Sequence, residues 1–208
     1  HVFWFLRDKE NKQHDRKPYL DLGDPIQDAY QLMDAAVGEA LRALPQGAPL
    51  ILMSDHGFSS FRKAVNLNTW LVKEGFMSLE GNHGETKKLD ALFGGGKFWE
   101  GVDWSKTKAY CLGLAQIYIN LRGREGQGIV DPADYEKTRD EIIQGLLSLK
   151  DPATGRPMVE SVKKREEIYS GPHMDEMPDL VYGFRDGYRV SWQTSLGGIP
   201  EEIVTVNT

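Results

Sequence analysis

The stretch Ala48-Pro49-Leu50-Ile51-Leu52-Met53-Ser54-Asp55-His56-Gly57-Phe58 runs an apolar segment directly into an adjacent carboxylate and imidazole. A short unbroken apolar run is the pattern of a strand buried on both faces of a parallel sheet, so residues 50–53 are expected to form one. In open α/β sheets ligands bind beyond the carboxyl ends of the strands, which places Asp55 and His56 where chemistry takes place. An oxygen donor beside a neutral nitrogen donor suits Zn²⁺ or Mn²⁺, and Gly57 leaves room for close backbone approach. The same three residues also brace loops, because Asp and His side chains hydrogen-bond nearby backbone.

Upstream, Asp24 reads as a helix cap with Pro25 in the first turn, and Ile26, Tyr30, Met33, Val37, Leu41 and Leu44 recur at spacings of three and four. Pro45-Gln46-Gly47 ends that helix, so helix, turn and strand make an αβ unit that feeds the Asp55-His56 turn. Downstream, Asn68 is expected to cap a short helix running to Glu74 and stopping at Gly75, followed by a strand over 76–79. Residues 81–108 read as an irregular insertion, marked by Gly94-Gly95-Gly96 and little apolar periodicity. A strand over 117–121 has Ile117, Ile119 and Leu121 on one face. A second helix starts at Asp131-Pro132, with Tyr135, Ile142, Ile143, Leu146, Leu147 and Leu149 as its inward stripe. Strands over 159–162 and 180–184 follow, and Asp186-Gly187 between Tyr182-Gly183-Phe184 and Tyr188-Arg189-Val190 signals a C-terminal hairpin. The expected fold is α/β, a mostly parallel sheet flanked by helices, with residues 1–208 forming the C-terminal part of one domain.

The chain has 208 residues, 40% of them hydrophobic, and a net charge of −6, so it can bury a core and offers no basic footprint for nucleic acid. No apolar stretch reaches the roughly 18 residues needed to span a bilayer. The single Cys111 excludes an intrachain disulfide and is in keeping with a reducing, cytoplasmic compartment, although localisation stays open. A start at His1 rather than Met, and an end at Thr208 just past a Gly/Pro loop, read as a fragment of a longer polypeptide.

In the order of these parts the chain resembles the alkaline phosphatase superfamily, and within it the type I phosphodiesterase/nucleotide pyrophosphatase group. Three stretches carry the resemblance: Ser54-Asp55-His56-Gly57-Phe58; the opening His1-Val2-Phe3-Trp4; and Val65-Asn66-Leu67-Asn68-Thr69-Trp70-Leu71 through Gly75-Phe76. The segments 117–125, 167–182 and 187–198 are similar as well. The resemblance implies an alkaline-phosphatase-like fold and two divalent metal ions, Zn²⁺ first and Mn²⁺ or Mg²⁺ as alternatives. It also implies a phospho-Thr or phospho-Ser intermediate and a small-molecule phosphoester substrate. Carried across by position, Asp55 and His56 bind the metal that activates the nucleophile, and His1 binds the second metal.

The nucleophile and the remaining ligands of that family pattern have no counterpart in these residues. One oxygen donor and two imidazoles divided between two sites fall short of the three protein ligands of a typical catalytic zinc, so the isolated chain is expected to bind metal weakly and to be inactive. A phosphomutase or sulfatase of the same superfamily, or a non-catalytic interaction domain that retains the fold, are the alternatives. Phe58 after Gly57 favours the diesterase.

Other motifs carry less. His14 lies in a Lys/Arg/Asp-rich loop and reads as solvated, with substrate contact as the alternative. His83 and His173 have no partner at ligand spacing. Gly94-Gly95-Gly96-Lys97 lacks the spacing of a phosphate loop. Trp192, Gln193 and Thr194 read either as cleft-lining residues or as a strand with an aromatic packed on the core.

Overall fold

The computed structural model describes residues 3–14, 21–80, 99 and 101–207, so His1, His83 and Gly94-Gly95-Gly96 lie outside the described residues. The chain divides into two compact units, His1–Arg62 and Lys63–Asn207.

The first unit holds a 3-10 turn, Trp4–Arg7, and helix α1, Pro25–Ala43. The helix begins as its sequence dictates: the Asp24 side chain accepts from the Gln27 N–H at 3.1 Å, and Pro25 occupies the first turn. Its stripe is another matter. Only Ile26 is buried, while Tyr30, Met33 and Leu41 are more than half exposed. Residues 50–53 likewise form no strand. Leu50, Ile51, Leu52 and Met53 carry no regular secondary structure and are exposed, at 38, 77, 68 and 87%. The reason is pairing, since a strand exists only against neighbours and the described part of this unit contains no other strand.

The second unit contains β1 (Lys63–Val65), α2 (Leu67–Lys73), β2 (Ala109–Leu112), β3 (Gln116–Ile119), α3 (Tyr135–Ser148), β4 (Val159–Lys164), β5 (Leu180–Phe184), β6 (Tyr188–Val190), α4 (Trp192–Ser195) and β7 (Val204–Val206). One sheet has the order β6-β1-β7 and the other β2-β3-β5-β4. Among these named strands only β1 and β6 pair in parallel, and the four-stranded sheet is antiparallel throughout. The described architecture is therefore mixed α/β, and the mostly parallel sheet expected from the sequence is not what these strands form.

The turn at Asp186-Gly187 forms, with Gly187 at φ +87° and the Tyr188 N–H donating to the Arg185 carbonyl at 3.1 Å. The expected hairpin does not. Strand β5 already pairs with β3 and β4 on its two edges, so β6 leaves it and docks on β1, Lys63 opposite Tyr188. Residues 76–79 are not a strand either, but their backbone is bridged: the Phe76 carbonyl accepts from Lys108 and Ala109, and Leu79 pairs with Val102.

Helix α3 keeps most of its expected inward stripe, Leu147 being the exception at 44% exposed. Asp131 caps the preceding 3-10 turn by accepting from Ala133, and Ile142 and Leu146 are fully buried. They share a core with Val65, Leu67, Trp70, Ile117, Ile119, Met158 and Leu180. Gly145 is where Trp70 meets the helix, and a Cβ there would lie 2.7 Å from the indole. The open edge of β2 is closed by a side chain: Asn68 donates to the Cys111 carbonyl at 3.1 Å and accepts from its N–H at 2.8 Å. The N-cap residue of α2 is Asn66 rather than Asn68; Thr194 Oγ1 takes the Leu67 N–H at 3.0 Å, and Asn68 serves β2 instead. Among the described residues no helix is long and apolar enough to cross a membrane.

Candidate functional site

Asp55 and His56 lie in an exposed turn of the first unit, their side chains 88% and 57% accessible. The Asp55 Oδ2 and His56 Nε2 atoms are 3.6 Å apart, beyond hydrogen-bond range. Two donors on one tetrahedral zinc, at bond lengths near 2.0 Å, lie about 3.3 Å apart, so this spacing is close to that of a shared ion. The other imidazole nitrogen is committed elsewhere. Nδ1 is 2.7 Å from the Gly57 carbonyl, an acceptor only, so the bond requires the proton on Nδ1. That arrangement, with the far ring nitrogen held by a backbone carbonyl, is how metal-binding histidines are oriented. The turn is further set by the His56 N–H donating to Asp55 Oδ1 at 3.1 Å and by Ser54 Oγ donating to the His56 carbonyl at 2.6 Å.

Several contacts hold residues 3–14 against the segment that follows the turn. Trp4 and Phe58 bring their rings to 5.7 Å, and Phe58 meets Phe61 at the same distance. Asn11 Nδ2 donates to Ser60 Oγ at 3.0 Å, and Arg62 donates two hydrogen bonds to the Asp8 carboxylate, at 2.7 and 3.0 Å, while also pairing with Glu10. Burial works against the charged form of Asp8, yet the hydrogen bonds from Arg62 and Ser60 outweigh it and hold this carboxyl below its usual range. Trp4 is thereby held at Phe58, two residues along the chain from His56. Among the described residues no third His, Cys, Asp or Glu joins Asp55 and His56 in a ligand group.

The remaining candidates serve structure. His14 Nδ1 lies 3.2 Å from the Phe5 carbonyl, inside its own loop. His173 Nδ1 is 2.9 Å from Glu176 on an exposed turn. Trp192 opens a short helix rather than a strand; it is 48% exposed beneath the Arg189 guanidinium, and Thr194 is buried against α2.

A polar centre that sequence reasoning missed is Asp179. It is fully buried and saturated: Arg124 donates to both oxygens at 2.8 and 2.6 Å, the Ile119 N–H donates at 2.6 Å, and the Tyr135 hydroxyl completes the set. Burial, together with this bond to Asp179, pushes the Tyr135 phenol up. With every lone pair engaged, Asp179 is a brace between β3, α3 and β5. The only sequence signal was Asp after Met177-Pro178 at a strand start.

Compared with known families, residues 6–198 match the family described as type I phosphodiesterase / nucleotide pyrophosphatase. Curated proteins and solved structures gave no match.

Proposed function

This chain belongs to the type I phosphodiesterase/nucleotide pyrophosphatase family, a family of hydrolases acting on small phosphoester substrates, and we propose that it contributes half of a two-metal site for cleaving phosphodiester or pyrophosphate bonds. The observation that carries the reading is the His56 ring, whose Nδ1–H is held by the Gly57 carbonyl while Nε2 lies 3.6 Å from an Asp55 oxygen. Asp55 and His56 fit a divalent ion in donor type and spacing, with Zn²⁺ first and Mn²⁺ or Mg²⁺ as alternatives. When bound, two such ions polarise the phosphoryl oxygens and lower the pKa of the attacking hydroxyl.

This chain's residues have three tasks. Asp55 supplies the anionic donor to one ion, His56 the neutral donor beside it with its Nδ1–H held by the Gly57 carbonyl, and His1 a donor to the second ion. A Thr or Ser nucleophile forming a covalent phospho-intermediate, and the remaining ligands, come from outside these residues. Two donors on one ion fall below the three of a catalytic zinc, so the isolated 208-residue chain is inactive.

The test is a polypeptide extended at both ends, assayed on an aryl phosphodiester and the matching monoester. Turnover of the diester, lost with Asp55→Ala or His56→Ala, is expected for the extended form and not for the chain alone. A preference for the monoester or for a sulfate ester, or diester turnover by the chain alone, overturns the proposal.

A further inference from the structure

The carbonyl that accepts from His56 Nδ1 belongs to the peptide unit joining Gly57 to Phe58. That unit is planar, so the Phe58 backbone and the Gly57 oxygen turn together as one rigid plate. Gly57 does little to steady the plate: it has no side chain to restrict its dihedrals, and nothing lies within 4 Å of where a Cβ would be. The Asp55 carboxylate, 3.6 Å from Nε2, is too distant for a hydrogen bond that would hold the ring from its other side. Residues 54–57 are all exposed, and Phe58 is the first half-buried residue after the turn.

Phe58 is gripped from a part of the sequence far from its own. Its ring lies 5.7 Å from that of Trp4, at 33° between planes, and 5.7 Å from that of Phe61 at 66°, within the range of favourable aromatic pairing. Trp4 stands in the 3-10 turn Trp4–Arg7, and the same two segments are joined twice more beyond the rings. Arg62 gives both Nε and Nη2 to the Asp8 carboxylate, which is only 10% exposed, and Asn11 donates to Ser60. A bidentate pair of this kind fixes geometry as well as charge. We propose that Phe58, held by Trp4, is a positioning residue for the candidate metal-binding pair: by fixing the Gly57–Phe58 peptide it keeps the carbonyl on His56 Nδ1 and selects the Nδ1–H form of the ring. This role rests on the metal-site reading for its consequence, zinc affinity, and not for its cause, since the tautomer is a property of the metal-free ring.

Nitrogen-15 NMR of the metal-free 208-residue chain at about pH 8.5, where an unperturbed imidazole is neutral, reads the His56 tautomer. The unsubstituted chain should hold mainly the Nδ1–H form. Trp4→Ala should lower the ratio of Nδ1–H to Nε2–H about fivefold, what one net hydrogen bond is worth, and Trp4→Phe should restore most of it. Zinc affinity should fall with Trp4→Ala by up to about tenfold, the low end of the cost of removing a group that orients a ligand. A measurement on the unsubstituted chain keeps the test independent of how the variants fold: on heating, the Nδ1–H form should decline over the same range as the cross-peaks between the Trp4 and Phe58 rings. A tautomer ratio unmoved by Trp4→Ala, or an Nδ1–H form that persists after the ring contact is lost, overturns the role of Phe58 whatever zinc does. Absence of zinc binding with the tautomer response intact overturns the metal-site reading instead and leaves Phe58 as the residue that orients His56.

Discussion

Leu41 of α1 and Leu146 of α3 hold equivalent places in two helical stripes that read alike in sequence, yet Leu41 is 57% exposed and Leu146 fully buried. Both begin at a capped turn, Asp24 capping α1 directly and Asp131 capping the 3-10 turn that leads into α3. What differs is the partner: α3 lies in one core with Trp70 and with residues of β3, β4 and β5, whereas among the described residues α1 packs on no other element to a comparable extent. A periodic stripe states what a helix requires; whether it is met depends on what the rest of the chain supplies. The carboxylates teach the same lesson from the other side. Asp179 has every oxygen occupied and braces the second unit, while Asp55 is 88% exposed and accepts only from the His56 N–H among the hydrogen bonds of the described residues.

The largest effect expected on this contrast is at Asp179. Asp179→Ala strands the Arg124 guanidinium, the Tyr135 hydroxyl and the Ile119 N–H together, and should cost about 3–5 kcal/mol in urea unfolding of the second unit. Next, Leu146→Ala should cost about 2–5 kcal/mol through the cavity it leaves, while Leu41→Ala should stay within about 0.5 kcal/mol. Equal costs would break the contrast. Gly145→Ala, although a gain in helix propensity, drives a methyl into Trp70 and should cost about 1–3 kcal/mol.

A smaller effect follows pH. Burial opposes ionisation of Asp151, but hydrogen bonds from Lys63, Tyr188 and the Ala153 N–H outweigh it and hold its pKa at about 2, against the usual 3.8. A carboxyl depressed in the folded state stabilises fully above its unfolded value. Stability from Asp151 should therefore be complete above pH 3.8 and fade as pH falls toward about 2, and Asp151→Asn should remove that part of the acid-unfolding curve. Smallest of all is the exposed Lys163-Glu167 pair, where Glu167→Gln should shift stability by less than about 0.5 kcal/mol.

Local features were legible in sequence wherever local chemistry decides them. The Asp24-Pro25 and Asp131-Pro132 helix starts, the alternation of Ile117 and Ile119, and the tight turn at Gly187 all stand as read. Pairing was not legible. The Asp186-Gly187 turn looked like a hairpin because its flanks are both strands, and nothing local says that β5 has both edges filled. Residues 50–53 looked buried because an apolar run records the environment a strand needs rather than the one it has. At the candidate site the Asp55-His56 pair was legible as donor types, whereas the Gly57 carbonyl that sets the His56 tautomer is a backbone contact with no side-chain signature. Asp179 stayed hidden for a related reason, since its partners lie 44 to 60 residues away in sequence.

The central claim, that Asp55 and His56 form half of a metal site with His56 Nε2 as donor, is tested most directly by titrating Zn²⁺ into the 208-residue chain while following the ¹⁵N shifts of the His56 ring. One weakly held ion is expected, with Nε2 moving to the metal-bound range, Nδ1 remaining protonated, and the response lost with Asp55→Ala. Coordination through Nδ1, or zinc uptake unchanged by Asp55→Ala and His56→Ala alike, would contradict the account.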